Sequence, residues 1–403
     1  MFHMIGQLIK VLIRYFLILI NDCLICLPIK RHLIIFESFN GQDVSDNPAA
    51  IYQELVLTHP EYAPSLFFGI KGRRFEEVKR TYPEIQILKR WSFKWIWTVA
   101  RAEYWVFNSR MPLWWHKNRG TTYVQTWHGT PLKKLGIDIE NVEIPGTTTT
   151  EYHAAFKKES ARWNYLIAPN SYSEAIFKRA FGFNNKFIRS GYPRNDVLYL
   201  DNNLDTIRHL KLKILGASDA KVVLYAPTWR DDEFIYKGRY RFDLPFDLKK
   251  FFSLVSPDTI LIIRPHYLVK DHIDIRGFEK RVRILADTDI NQLYLISDLL
   301  ITDYSSVMFD FANLHRPMLF FPYDLDHYAG KLRGFYYNYL EECPGPIVTT
   351  ATEFYKQLSV FNSEGTFANY DRQFNEFQKK FTSWEKGTAA KQVIKAIGIY
   401  EEE

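Results

Sequence analysis

Twice along the chain, short apolar runs rich in β-branched residues lead directly into polar turns and then into helical stretches. That alternation leaves little choice but parallel sheets with crossover helices, an α/β fold class. The first series places strands at 33–36, 66–68, 85–88, 104–107, 122–126, 165–168 and 187–190, enough for one complete domain. A polar, helical stretch follows from 198 to 220, and a second series then begins, with strands at 222–225, 260–263, 283–285, 299–302 and 318–321. Residues 370–400 read as helix, with Phe374, Phe377, Phe381, Trp384, Val393 and Ile397 at helical spacings. Two such domains in tandem present the carboxyl ends of their strands to a shared cleft, so functional residues belong directly after strands.

With 403 residues, 47% of them hydrophobic, the chain can bury large cores, which excludes disordered and miniprotein classes. A net charge of +6 suits anionic partners. Three cysteines cannot frame a disulfide scaffold in a chain this long, which points to a reducing, cytoplasmic setting. Cys23 and Cys26 have CxxC spacing but no second ligand pair, so they read as small apolar residues.

The first 27 residues are dense in Ile and Leu, yet Gln7, Lys10, Arg14, Asn21 and Asp22 interrupt them, and no span of about 18 apolar residues survives. On a helix, positions 7, 10, 14 and 21 share one side while Ile5, Leu8, Ile9, Leu12, Ile13, Phe16 and Leu19 cover the rest. The segment is expected to lie in a membrane surface, with Lys10, Arg14, Lys30 and Arg31 near anionic headgroups. A helix packed on the protein's own core is the alternative, and no signal-peptide cleavage site follows.

The chemistry-bearing motifs sit where the fold class wants them. A strand runs into Trp127-His128-Gly129-Thr130, which sets a histidine at a strand end, beside a glycine that allows close backbone approach. Such a histidine can take a proton from a hydroxyl, or simply bond into its turn. Arg264-Pro-His266 ends the second strand of the second series, a donor pair suited to phosphoryl oxygens, unless Arg264 pairs with Asp298. Asp303-Tyr-Ser305-Ser306 precedes an apolar helix carrying Asp310, and a serine there is expected to cap that helix and to adjoin an anion site. Thr228 and Arg230 follow another strand and could reach a phosphate, with Trp229 stacking or packing. Arg194, after the last strand of the first series, borders the cleft. HExxH, Walker A, GxGxxG and Gly-x-Ser-x-Gly patterns are absent, and no zinc spacing occurs. No cofactor is expected, and a divalent cation is conceivable without a recognisable site.

Taken in order, residues 125–136, 191–196, 226–231, 264–266 and 301–307 resemble the CDP-glycerol glycerophosphotransferase family, which primes or polymerises teichoic acid. The resemblance implies a GT-B architecture: a membrane-associated segment at 1–30, an acceptor-side Rossmann-like domain at 31–205, a donor-binding one at 206–365, and helices at 366–403 crossing back to the first. It implies transfer of glycerol phosphate from CDP-glycerol to the terminal hydroxyl of an acceptor linked to undecaprenyl diphosphate, at the cytoplasmic membrane face, with no nucleic-acid partner. His128 and His266 correspond to the family's catalytic histidines, and Ser305 and Ser306 to its phosphate-binding hydroxyls. Trp127, Gly129, Thr130, Arg194, Thr228, Arg230, Arg264, Asp303 and Asp310 complete the expected substrate site. CDP-ribitol or a nucleotide sugar is the alternative donor, and a non-enzymatic scaffold the remaining class. The chain's length favours a primase or short-chain transferase over a processive polymerase.

Overall fold

A computed structural model describes residues 2–144, 146–228, 234–236, 239–240, 244–265, 273–325 and 334–399. The chain divides into two compact units, residues 1–129, 135–194 and 388–403 in one and residues 130–134 and 195–387 in the other.

The first unit is built on seven strands: β1 (Lys30–Glu37), β2 (Leu66–Ile70), β3 (Ile87–Lys89), β4 (Ala102–Phe107), β5 (Thr122–Gln125), β6 (Tyr165–Ala168) and β7 (Lys186–Arg189). They form one sheet in the order β3-β2-β1-β4-β5-β6-β7, and every pairing is parallel. Because crossover helices cover both faces, the central strands read as unbroken apolar runs rather than alternating ones. Ile34, Ile35, Phe36, Trp105, Val106 and Val124 are all fully buried, each such side chain contributing roughly 1.5–3 kcal/mol by leaving water. Strand order reverses between β1 and β4, so the crevice of this sheet opens where Ser38, Phe39 and Asn108 follow those strands.

The second unit carries β8 (Val222–Tyr225), a short antiparallel hairpin of β9 (Phe234–Tyr236) and β10 (Arg239–Tyr240), β11 (Ile260–Ile263), β12 (Val282–Ile284), β13 (Leu299–Thr302) and β14 (Met318–Phe320). Its main sheet is parallel in the order β12-β11-β8-β13-β14, with the reversal between β8 and β13. Every residue of β8, β11 and β13 is buried.

All twelve strands expected from the sequence are present, within two or three residues of their expected limits; the hairpin was not anticipated. The units, however, part at 194/195, ahead of the expected boundary at 205. Of the final helices only Ala389–Ile397 groups with the first unit, while Asp371–Phe381 stays with the second. Sequence order hides this because Thr130–Lys134, which follows β5 directly, belongs to the second unit. There the Leu132 carbonyl accepts from Tyr336 N at 2.9 Å, and Lys134 N donates to the Gly334 carbonyl at 3.0 Å. The last helix is held in the first unit by its apolar face, since Val393, Ile394 and Ile397 share a core with Ile51 and Leu55 of helix α2 (Asp46–Thr58). Tyr104 adds its hydroxyl to the carbonyls of Ile397 and Gly398 at 3.3 and 3.2 Å.

Helix α1 (Phe2–Leu24) inverts the usual arrangement of a surface helix. Asn21 is fully buried and donates to the His116 carbonyl at 3.0 Å, and Arg14 lies over the Trp114 ring at 5.6 Å. Leu12, Tyr15, Phe16 and Leu19 meanwhile are 59–66% exposed. Arg14 is itself exposed, with one side of its guanidinium over that indole. Among the described residues, no helix is long and apolar enough to cross a membrane.

Candidate active site

In the first unit the site is assembled from the ends of β1, β4 and β5 and the start of α2. After β5 the chain turns sharply, and Trp127 takes a left-handed φ of 53° that an indole-bearing residue rarely adopts. Three contacts hold the turn. The Gln125 side-chain carbonyl accepts from Trp127 N at 3.0 Å, Asn47 Nδ2 donates to the Trp127 carbonyl at 3.1 Å, and the indole packs on Phe181 at 4.5 Å. The result throws His128 forward, its ring stacked on Trp127 at 4.5 Å and 24° and edged by Phe39 at 5.7 Å.

His128 Nδ1 lies 2.8 Å from the backbone carbonyl of Asn108. A carbonyl can only accept, so Nδ1 carries the hydrogen, and in the neutral ring Nε2 holds the lone pair. The residue is exposed on one side, while the Trp127 and Phe39 rings pack against the imidazole. Desolvation is the largest influence on it and, reinforced by Arg194, pulls the pKa below the ordinary 6.5 against the opposing effects of the Asn108 bond and Asp46. The imidazole is accordingly neutral at pH 7, with a fixed tautomer and a basic nitrogen. That arrangement suits proton abstraction from a hydroxyl.

Arg194 was expected to bind substrate. In the structure its side chain is 9% exposed, it pairs with Asp46 at 2.9 Å, and it donates to the His128 carbonyl at 2.8 Å while lying over the Tyr192 ring. Gly129 is half-buried beside His128, and Thr130, which is buried, falls in the second unit.

In the second unit the residues gather at the reversal point between β8 and β13. Thr228 N donates to Asp303 Oδ1 at 2.8 Å, the Thr302 hydroxyl donates to the Ala226 carbonyl at 2.7 Å, and Tyr339 donates to the Asp303 carbonyl at 3.0 Å. Asp303 is thereby buried as a brace between two loops. Ser305 is half-buried and Ser306 exposed, and the helix that follows is only Val307–Phe311. Neither serine caps it as expected. Ser306 is already in the right-handed helical region with no side-chain cap bond, and Ser305 Oγ reaches Val307 N only at 3.5 Å. The first turn is closed by backbone instead, Phe309 N donating to the Ser306 carbonyl at 3.1 Å. Asp310, expected at the substrate, is buried and accepts from Asn195 Nδ2 at 3.0 Å. Arg264 does not pair with Asp298, which is taken by Lys211 at 3.3 Å and by Val222 N at 2.7 Å. It donates to the Thr288 carbonyl instead. His266 and Arg230 lie outside the described residues. Among the described residues no three of His, Cys, Asp and Glu gather as a metal site.

Phe39, Asp46, Asn47 and Asn108 were not foreseen. Asp46-Asn47-Pro48 ahead of an apolar helical run is a readable helix start, and Asn108 directly follows a strand. Their convergence on His128, from 20 to 89 residues away, leaves no mark in sequence.

Residues 19–398 match the family described as CDP-glycerol:poly(glycerophosphate) glycerophosphotransferase. The chain is 47% identical over 374 residues to the teichoic acid poly(glycerol phosphate) polymerase of Bacillus subtilis, covering 92% of this chain and 49% of that one. It is 44% identical to the corresponding polymerase of Bacillus spizizenii (92% and 93% covered) and 43% identical to the teichoic acid glycerol-phosphate transferase of Staphylococcus aureus (98% and 100% covered). It thus spans about half the length of the first relative and nearly all of the other two. The solved wall teichoic acid polymerase TagF superimposes with a TM-score of 0.84 at 38% identity, covering 98% of this chain and 96% of that one. A His-to-Asn variant of it soaked with CDPG gives 0.83 at 39%, covering 92% and 89%. The match runs through both units and every motif named above, and the chain belongs to the CDP-glycerol:poly(glycerophosphate) glycerophosphotransferase family.

Proposed function

We propose that His128 is the general base of a glycerophosphotransferase whose two units pair in the GT-B manner, with the acceptor on the first and CDP-glycerol on the second. Nε2 removes the proton from the acceptor's terminal hydroxyl, that oxygen bonds to the β-phosphorus of CDP-glycerol, and the bond to the bridging oxygen breaks, releasing CMP. The observation that carries this reading is the Asn108 carbonyl on Nδ1, which dedicates Nε2 to accepting a proton. Ser305, half-buried, and Ser306, exposed and without a cap bond, serve the donor's phosphates together with His266 and Arg230; Arg264 joins them by releasing the Thr288 carbonyl. Trp127, Thr228, Asp303 and Asp310 shape these loops from within. No resident cofactor takes part.

The acceptor is a teichoic acid chain or its lipid-linked precursor, met at the cytoplasmic membrane face. The outward apolar side of α1, with Leu12, Phe16 and Leu19 in the interface, supports membrane contact. Length does not single out a primase. A polymerase relative is covered over 93% of its length, whereas a primase from Bacillus subtilis is 30% identical.

The test offers purified protein CDP-glycerol, CDP-ribitol and a nucleotide sugar with a lipid-linked acceptor, scoring CMP release and product mass. CMP and a glycerol phosphate adduct from CDP-glycerol alone would support the reading. Turnover restricted to CDP-ribitol, or donor binding without CMP, would replace it.

A further inference from the structure

Seven non-glycine residues among those described have left-handed φ values, and three of them, Phe39 at 49°, Asp46 at 60° and Trp127 at 53°, bear on His128. Such a backbone conformation is costly and persists only where neighbours over-determine it. Trp127 and Phe39 pack on the imidazole itself. Asp46 acts at one remove. Its carboxylate holds Arg194, and the same Arg194 nitrogen, Nη1, donates to the His128 carbonyl, the Asp46 and Arg194 side chains being less than 10% exposed. Asn47, next in line, receives Arg194 N at 3.1 Å and donates to the Trp127 carbonyl. The start of α2 thus grips the backbone on either side of the Trp127–His128 peptide from one direction, while Asn108 grips the ring from the other.

We propose that the Asp46–Arg194 ion pair is a positioning device for His128: a buried, internally neutralised cation that clamps the residue's carbonyl and keeps Nε2 at the acceptor hydroxyl. This assigns Arg194 to the protein rather than to the substrate. It rests on the reading of His128 as the base. Asp46 and Arg194 are the charged groups that act on the ring; Trp127 and Phe39, which pack on it, carry no charge.

The two halves of the pair have opposite signs, so removing either one moves the histidine in opposite directions. Arg194→Gln leaves Asp46 uncompensated and favours imidazolium, moving the acidic limb of kcat up by about one pH unit; Asp46→Asn leaves Arg194 uncompensated and moves it down by a similar amount. Both lower kcat by about 10- to 100-fold through misplacement of the base, with KM for CDP-glycerol within roughly threefold of wild type. Arg194→Lys, which keeps the charge on a shorter arm, keeps the limb in place and loses kcat alone. A readout independent of turnover is the pH dependence of His128 carbethoxylation by diethyl pyrocarbonate, followed on its peptide by mass spectrometry, and the same opposed shifts are expected there. Limbs that move together or not at all, or a loss confined to KM, overturn the proposal. If His128→Asn retains full turnover, the base assignment fails while the carbethoxylation shifts still decide the clamp.

Discussion

Glu37→Ala is expected to destabilise the first unit by about 3–5 kcal/mol, the usual cost of leaving a buried charge without its partner. Glu37 ends β1 with its carboxylate 3.1 Å from Arg90 Nε, the two side chains being 4% and 6% exposed, and it also accepts from Trp95 Nε1 at 2.8 Å. At 3.1 Å the direct attraction in a medium of effective dielectric near 20 is about 5 kcal/mol. Burial works against the pair, and desolvation is the leading influence on Glu37, raising its pKa above 4.5 despite Arg90. The net value of the pair against an apolar substitute is therefore small, while the cost of breaking it is large. Glu37→Leu combined with Arg90→Met is expected to recover most of what Glu37→Ala loses. Tryptophan fluorescence during urea unfolding is the assay, since Trp91, Trp95, Trp97, Trp105, Trp114, Trp115, Trp127 and Trp163 all lie in the first unit. Arg90 also donates to the Asn40 carbonyl at 2.8 Å, in the turn that places Phe39 on His128, so kcat is expected to fall well before global unfolding. A single variant losing less than about 1 kcal/mol, or a double variant as unstable as the single, would refute the reasoning.

Gly136 has φ 55°, and an added Cβ would sit 2.0 Å from the Ala180 carbonyl oxygen, so Gly136→Ala is expected to abolish soluble folding; Gly216→Ala, at φ 75° with open space around it, is expected to cost about 1 kcal/mol by thermal melting. Leu12→Ser with Phe16→Ser and Leu19→Ser is expected to lower sedimentation with anionic vesicles by more than tenfold while leaving the melting temperature unchanged, because those side chains already face outward. The folded pKa of His128 lies below the unfolded 6.5, so the unfolded chain binds more protons between the two values. Stability from this group is full above pH 6.5 and declines as the pH falls toward the folded value, and the acidic limb of kcat lies below 6.5 as well. Comparing wild type with His128→Asn in pH-dependent melting isolates that contribution.

The sheets were legible in the sequence because buried parallel strands are written as contiguous apolar runs, and Val222–Tyr225, Ile260–Ile263 and Leu299–Thr302 could be read to the residue. Strand ends then located His128, Thr228, Arg264 and Asp303 without further information. The allotment of loops to units was not legible. Thr130–Lys134 leaves its own sheet because of hydrogen bonds to residues some two hundred positions away, and local pattern carries no trace of such pairing. The same limit explains Arg194, whose place after a strand suggested a substrate contact, whereas its guanidinium pairs with Asp46, 148 residues distant. Ser306 resembled a cap because serine before a helix usually is one, but its backbone has already entered the helical region, where the side chain cannot reach back to the first-turn N–H groups.

The most direct measurement is single-turnover CMP release by the His128→Asn protein beside wild type, with CDP-glycerol saturating and binding verified separately. Asparagine at that position retains polarity but offers no basic nitrogen. Unchanged donor affinity with the chemical step slowed by about a thousandfold is the expected result. A His128→Asn protein that binds CDP-glycerol and releases CMP at the wild-type rate would contradict it.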